Sequence, residues 1–156
     1  MLSYSRVGCG RATGRPGQKR MAMGHYKSNV RDIEFNLFEL LGRQDVLGTG
    51  PFADVDADTA RSILAEVNRL AVGPLADSFA EGDRHPPVFD PATGTVTLPA
   101  GFKRSYQAFL DSEWFRLDLP AELGGISAPR SLGWSVAELV LGSNPGIWMY
   151  SSRHRT

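Results

Sequence analysis

The side chains able to do chemistry in this 156-residue chain are few: His25, His85 and His154, a single Cys9, and carboxylates scattered from Asp32 to Glu138. Metal binding would need histidines one helical turn apart or a cysteine pair, and neither spacing occurs. Asp54, Asp56 and Asp58 alternate like the start of a calcium loop. Thr59, however, stands where that loop needs glycine, and Ala65 where it needs glutamate. Capping a helix is the better use of these acids. A serine nucleophile would need a base, yet Ser105 and Ser135 fall on expected helices with no histidine close in sequence, and Gly-x-Ser-x-Gly is absent. Gly8-x-Gly10 is not followed by a strand and helix, and Gly48-Thr49-Gly50-Pro51 lacks the Gly-Lys-Ser/Thr of a phosphate loop. Taken alone, the residues make no catalytic, cofactor-binding or metal-binding set.

The elements that would position any site are helical. Val30, Ile33, Leu37, Phe38 and Leu41 mark one face of a helix from Tyr26 to Leu41, stopped at Gly42. Asp56 or Asp58 can cap a second helix, with Ala60, Ile63, Leu64, Val67, Leu70 and Ala71 inward. Gly73-Pro74 interrupts it, and Leu75, Ala76 and Phe79 continue the pattern to about Gly82. Val88-Phe89 and Thr95 to Leu98 flank Asp90-Pro91-Ala92-Thr93-Gly94, which predicts a short β-hairpin. Phe102, Tyr106, Phe109, Leu110 and Trp114 form the apolar stripe of a further helix, broken by Leu119-Pro120 and Gly124-Gly125. A last helix over 129–142 has apolar residues almost all round, Trp134 included, and is expected to be deeply buried. On that reading Trp134→Ala would cost about 3–5 kcal/mol.

Composition bounds the rest. The length suits one domain, and 42% apolar with 22% charged residues is a globular balance. Residues 1–22 carry a charge of +5 and residues 151–156 carry +2, whereas 23–150 carry −7. An acidic body argues against nucleic acid and anionic membrane surfaces as partners. A lone cysteine excludes an internal disulfide, and no apolar run reaches the ~18–20 residues of a membrane span. The expected location is cytoplasmic. Residues 1–22 hold four glycines and no apolar periodicity, so a disordered leader is expected, as is a disordered tail over 151–156. The leader's arginines hint at a transit peptide, but its glycines spoil an amphipathic helix. Translation from Met21 or Met23 is the simpler expectation.

Several separated segments carry a resemblance. Leu119-Pro120-Ala121-Glu122-Leu123-Gly124-Gly125, then Glu138 and Gly142-Ser143-Asn144-Pro145, resemble the N-terminal domain of acyl-CoA dehydrogenases. His25 to Asp32 and Glu81-Gly82-Asp83-Arg84, followed by Pro86 to Pro91, are similar to the larger actinobacterial-type members. The resemblance covers roughly 23–150. It implies a mainly α fold, the family's helical N-terminal domain with one short β-hairpin. It also implies FAD chemistry, in which a glutamate base takes the α-proton of an acyl-CoA thioester as flavin accepts the β-hydride. In the family the flavin and that glutamate belong chiefly to the middle β-domain and the C-terminal helical domain. No Trp here is followed by the family's Ser/Thr-Asn-Gly flavin-contacting sequence, so no FAD is expected to be retained, and Glu138 lies in the wrong domain to be assigned the base role.

The resemblance further implies that this domain forms one wall of an acyl-chain cavity, with Trp148, Met149 and Tyr150 as candidate lining residues. Ordinary core or interdomain packing is the competing use of the same three. The leading expectation is a truncated dehydrogenase of fatty acid β-oxidation, inactive alone, whose polar basic end 151–156 would follow from a reading-frame shift. Its partners would be acyl-CoA in the full-length enzyme and the remaining domains or homologous subunits. With that cover absent, helix 129–142 should drive self-association. The alternatives are a stand-alone helical interaction module docking on a partner protein, and a flavoenzyme assembled from split chains.

Overall fold

A computed structural model describes residues 24–152. It is mainly α: α1 (Val30–Glu34), α2 (Ala57–Leu70), α3 (Phe79–Arg84), α4 (Ala100–Asp111), α5 (Arg130–Ser143) and α6 (Pro145–Ser152), with one hairpin, β1 (Val88–Asp90) and β2 (Thr95–Thr97). Asp56 caps α2 as expected, its carboxylate accepting the Thr59 N–H at 2.7 Å. Ala60, Ile63, Leu64 and Val67 then point inward. The hairpin pairs antiparallel, Val88 with Thr97, Phe89 with Val96 and Asp90 with Thr95. Asp90 shapes its turn by accepting from the Ala92 N–H and the Thr93 hydroxyl. The core joins α1, α2, α4 and α5 through buried Ile33 and fully buried Leu64, Val67, Phe109, Leu139 and Val140, together with Ile147 of α6. Each such side chain contributes about 1.5–3 kcal/mol.

Both long helical patterns widen where the sequence reading had them run on or break. The first helix starts at Val30, not Tyr26, and opens into a π turn over Phe35–Leu40, which leaves Leu41 53% exposed. The interruption at Gly73-Pro74 is a second π turn, Ala71–Leu75, with Ala71 and Leu75 still buried. Pro74 has no N–H, so the ladder must open there. Side chains from other helices reach its carbonyls. Ser143 donates to Ala71 at 2.5 Å, Ser105 to Pro74 at 2.6 Å, and Asn144 to Leu75 at 3.1 Å. The Asn144 amide also donates to the Ser78 hydroxyl. The segment before α1 straps across the same place. His25 bonds the Ser143 carbonyl and stacks on Phe79, and Ser28 donates to Asn68. Tyr26 lies so close to Gly142 that a Cβ there would stand 2.6 Å from its ring.

Three further expectations change. Trp114 is not on the stripe of α4: that helix ends at Asp111, Glu113 turns left-handed at φ 56°, and Trp114 sits in the following short turn. Trp134 is 67% exposed, not buried. It lies between Arg130 and Glu138 at four-residue spacing, so the three form the solvent stripe of α5, while Leu132, Val136, Leu139 and Val140 face the core. Finally, α6 runs on to Ser152, and Ser151 is buried with its hydroxyl on the Trp148 carbonyl, so the boundary expected at 150 moves outward. The leader 1–22 and the last four residues lie outside the described residues.

Two measurements check this packing. Asn144→Ala strands the Leu75 carbonyl and the Ser78 hydroxyl in the interior and should cost about 2–4 kcal/mol by urea denaturation. Trp134→Ala should cost about 1 kcal/mol or less. The second concerns pH. The Thr59 backbone bond holds the Asp56 carboxyl below the usual carboxylate range. Its stabilisation is therefore present above the ordinary aspartate value and lost as pH falls through the lowered one. Asp56→Ala should lower the melting midpoint at neutral pH, and the gap from the parent should close on acidification.

Candidate functional site

Successive residues of a helix diverge by about 100°, so Trp148, Met149 and Tyr150 of α6 cannot share one cavity. Met149 and Tyr150 line an open apolar pocket of about 380 Å³, walled also by Phe79, Pro87, Leu98 and Phe102. Trp148 turns the other way into a cleft of about 60 Å³ beside Trp134, Asp118 and Arg130. Two of the three candidates are thus brought together and the third is separated. Sequence reasoning placed Phe79 and Phe102 in core stripes and left Leu98 in the hairpin. The signal for a pocket was the run of prolines, Pro86-Pro87 and Pro99, which holds extended backbone off the helices.

The pocket wall is well supported. The Tyr150 ring meets Phe102 and Tyr106 edge-on, each at 5.6 Å between centroids, the geometry aromatic quadrupoles favour. Phe79 is 39% exposed but is held by the stacked His25 ring at 4.3 Å. Asp83 is the charged lining residue, and Asn144 reaches the wall with its amide already committed to Leu75 and Ser78. Met149 and Tyr150 themselves are 64% and 45% exposed, so the pocket opens to the surface.

Such a pocket can hold apolar matter. A flavin dinucleotide needs donors at its ring and N–H groups or cations at its pyrophosphate, and an acidic rim over aromatic walls repels the second and lacks the first. The lining of this pocket does not fit the flavin. The remaining chemistry-bearing groups are tied elsewhere. Ser105 donates to Pro74 and Ser135 to Ser131, each within its own packing. Asp56 caps α2, and His85 ends α3. A separate polar pocket of about 230 Å³ joins Asp77, Glu81 and Arg104, with Glu81 accepting the Gly101 N–H at 3.2 Å. Among the described residues no three of His, Cys, Asp and Glu converge as metal ligands, and no helix is long and apolar enough to cross a membrane. Cys9 and His154 lie outside the described residues.

The Glu138 charge acts on Tyr26. Burial pushes the Tyr26 phenol above its ordinary value, and the Glu138 charge adds to the rise. The neutral phenol is the folded form, so its stabilisation is full below the ordinary tyrosine range and is lost as pH climbs through the raised value. With labelled tyrosine, NMR titration should find Tyr26 ionising above pH 10. Glu138→Gln should lower that value only partway, since burial is the larger cause.

The relatives agree with this architecture. No family profile matches the chain. Over 129 residues, 83% of the chain, it is 55% identical to the broad-specificity linear acyl-CoA dehydrogenase FadE5 of Mycobacterium tuberculosis. Over 115 residues, 74% of the chain, it is 32% identical to the 3-methylmercaptopropionyl-CoA dehydrogenase of Ruegeria pomeroyi. These alignments take in 21% and 19% of the two relatives, so the chain spans about one fifth of the curated relatives it matches. With a mainly α fold, one short hairpin and identity on this scale, the chain belongs to the acyl-CoA dehydrogenase family and corresponds to a fragment of such an enzyme.

Proposed function

We propose that this chain supplies the N-terminal helical domain of a flavin-dependent acyl-CoA dehydrogenase, an enzyme of cytoplasmic fatty acid β-oxidation that desaturates acyl-CoA thioesters between the α and β carbons. Residues 23–150 act as one domain in this reading, and FAD and the proton-abstracting base come from parts of the enzyme outside it. The observation that carries the reading is the 55% identity over 129 residues to a linear acyl-CoA dehydrogenase. The domain contributes an apolar wall for the acyl chain through Met149 and Tyr150, with Trp148 on the opposite side of α6 packing toward Trp134. Exposed Leu123, Ile126 and Trp134 form faces for the remaining domains or a homologous subunit, and drive self-association when those are absent.

A second reading, a stand-alone helical module docking on a partner protein, draws on a core that closes on itself from Ile33 to Ile147. One experiment separates them. The purified chain should be colourless and should not oxidise acyl-CoA. A chimera in which this chain replaces the matching residues of the M. tuberculosis relative should bind FAD and bleach on adding a linear acyl-CoA. A folded chimera that neither holds flavin nor bleaches, or a yellow isolated chain reduced by acyl-CoA, would overturn the proposal.

A further inference from the structure

We infer that His25 is a positioning residue for the apolar pocket: it holds Phe79, and with it the α3 wall, against the end of α5. That wall has little else to hold it. Phe79, Gly82 and Asp83 stand at i, i+3 and i+4 of α3 and present one face of the helix to the pocket. Yet α3 is six residues long and none of its residues is buried, so core packing does little to fix it. It is tied at points instead. Glu81 accepts the Gly101 N–H of α4, and the Asn144 amide donates to Ser78, the residue before α3. Neither bond involves Phe79.

His25 supplies that contact. Its ring stacks on the Phe79 ring with 22° between the planes, and it is not itself part of the pocket lining. The His25 ring is anchored in turn. Its Nε2 lies 2.8 Å from the Ser143 carbonyl, and a carbonyl only accepts, so the ring donates from Nε2. Ser143 is fully buried, with its own hydroxyl on the Ala71 carbonyl. Consecutive residues at the α5–α6 junction thus hold consecutive residues at the start of α3: Asn144 takes Ser78 directly, and Ser143 takes Phe79 through His25. Without the His25 ring, the Phe79 side chain must be ordered as an apolar occupant binds, and that ordering costs affinity.

The test uses the full chain and 1-hexanol as an uncharged apolar probe. Affinity is read by NMR chemical-shift titration, and the α3 amides by hydrogen exchange. His25→Ala should weaken hexanol binding about two- to tenfold and speed exchange in α3, with exchange in the middle of α2 unchanged. His25→Phe keeps a ring on Phe79 but loses the N–H, and should bind between the alanine variant and the parent. Asp56→Ala removes the cap of α2, outside the pocket lining, and should leave hexanol affinity at the parent value. That control separates positioning from loss of stability. The assignment is overturned if His25→Ala binds like the parent, if His25→Phe binds no better than His25→Ala, or if Asp56→Ala weakens binding as much. A parent that takes up no hexanol overturns it too, for His25 then has no pocket to position. The acyl-CoA reading is tested apart from this, on the chimera.

Discussion

The fold depends on the opened turn at Ala71–Leu75. A proline inside a helix has no N–H to donate to the carbonyl one turn back, so the ladder opens around it. Here the opened turn is the point at which the domain is tied together. Ser105 brings α4 to Pro74, Ser143 brings α5 to Ala71, and Asn144 brings the α5–α6 junction to Leu75 and Ser78. Hydrophobic contact alone would let these helices slide, because it is non-directional. The hydroxyl and amide bonds fix their register, and with it the position of α6 and the pocket wall it carries.

The stretch Gly142-Ser143-Asn144-Pro145 gains a residue-by-residue account from this. Gly142 is a glycine because the Tyr26 ring occupies the space of a Cβ. Ser143 and Asn144 serve the opened turn. Asn144 takes extended backbone at φ −154°, ψ 91°, which ends α5. Pro145 begins α6, a first-turn position where its missing N–H is no loss. Four adjacent residues thus end one helix, start the next and bond both to a third.

Much of the fold was legible in the sequence, because its signals are local. The Asp56 cap, the inward face of α2 and the turn at Asp90–Gly94 each depend on residues within one turn of one another. The misses are cases where local signals compete. Trp134 looked buried by residue type, but its company on one stripe, Arg130 and Glu138, is charged, and that periodicity outweighed hydrophobicity. Both π turns escaped notice because the inward residues on either side keep helical spacing to within one position. The site was less legible than the fold. Three consecutive residues at 148–150 were grouped by composition, whereas a helix distributes consecutive residues to different sides. The partners of Met149 and Tyr150, namely Phe79, Leu98 and Phe102, come from segments dozens of residues away, and sequence spacing carries no record of that meeting.

The strap formed by His25, Tyr26 and Ser28 has a consequence for the order in which the molecule assembles. The His25 side chain bonds a carbonyl 118 residues downstream. Synthesis proceeds at about 5–20 residues per second, so these early residues leave the ribosome several seconds before their partner on α5 exists. Closing so long a loop costs entropy that local helix formation does not. The helices and the knot around Pro74 can therefore form first, and the strap seals them afterward. The strap is synthesised before the segment it binds and settles after it, beside Phe79, at the edge of the apolar pocket.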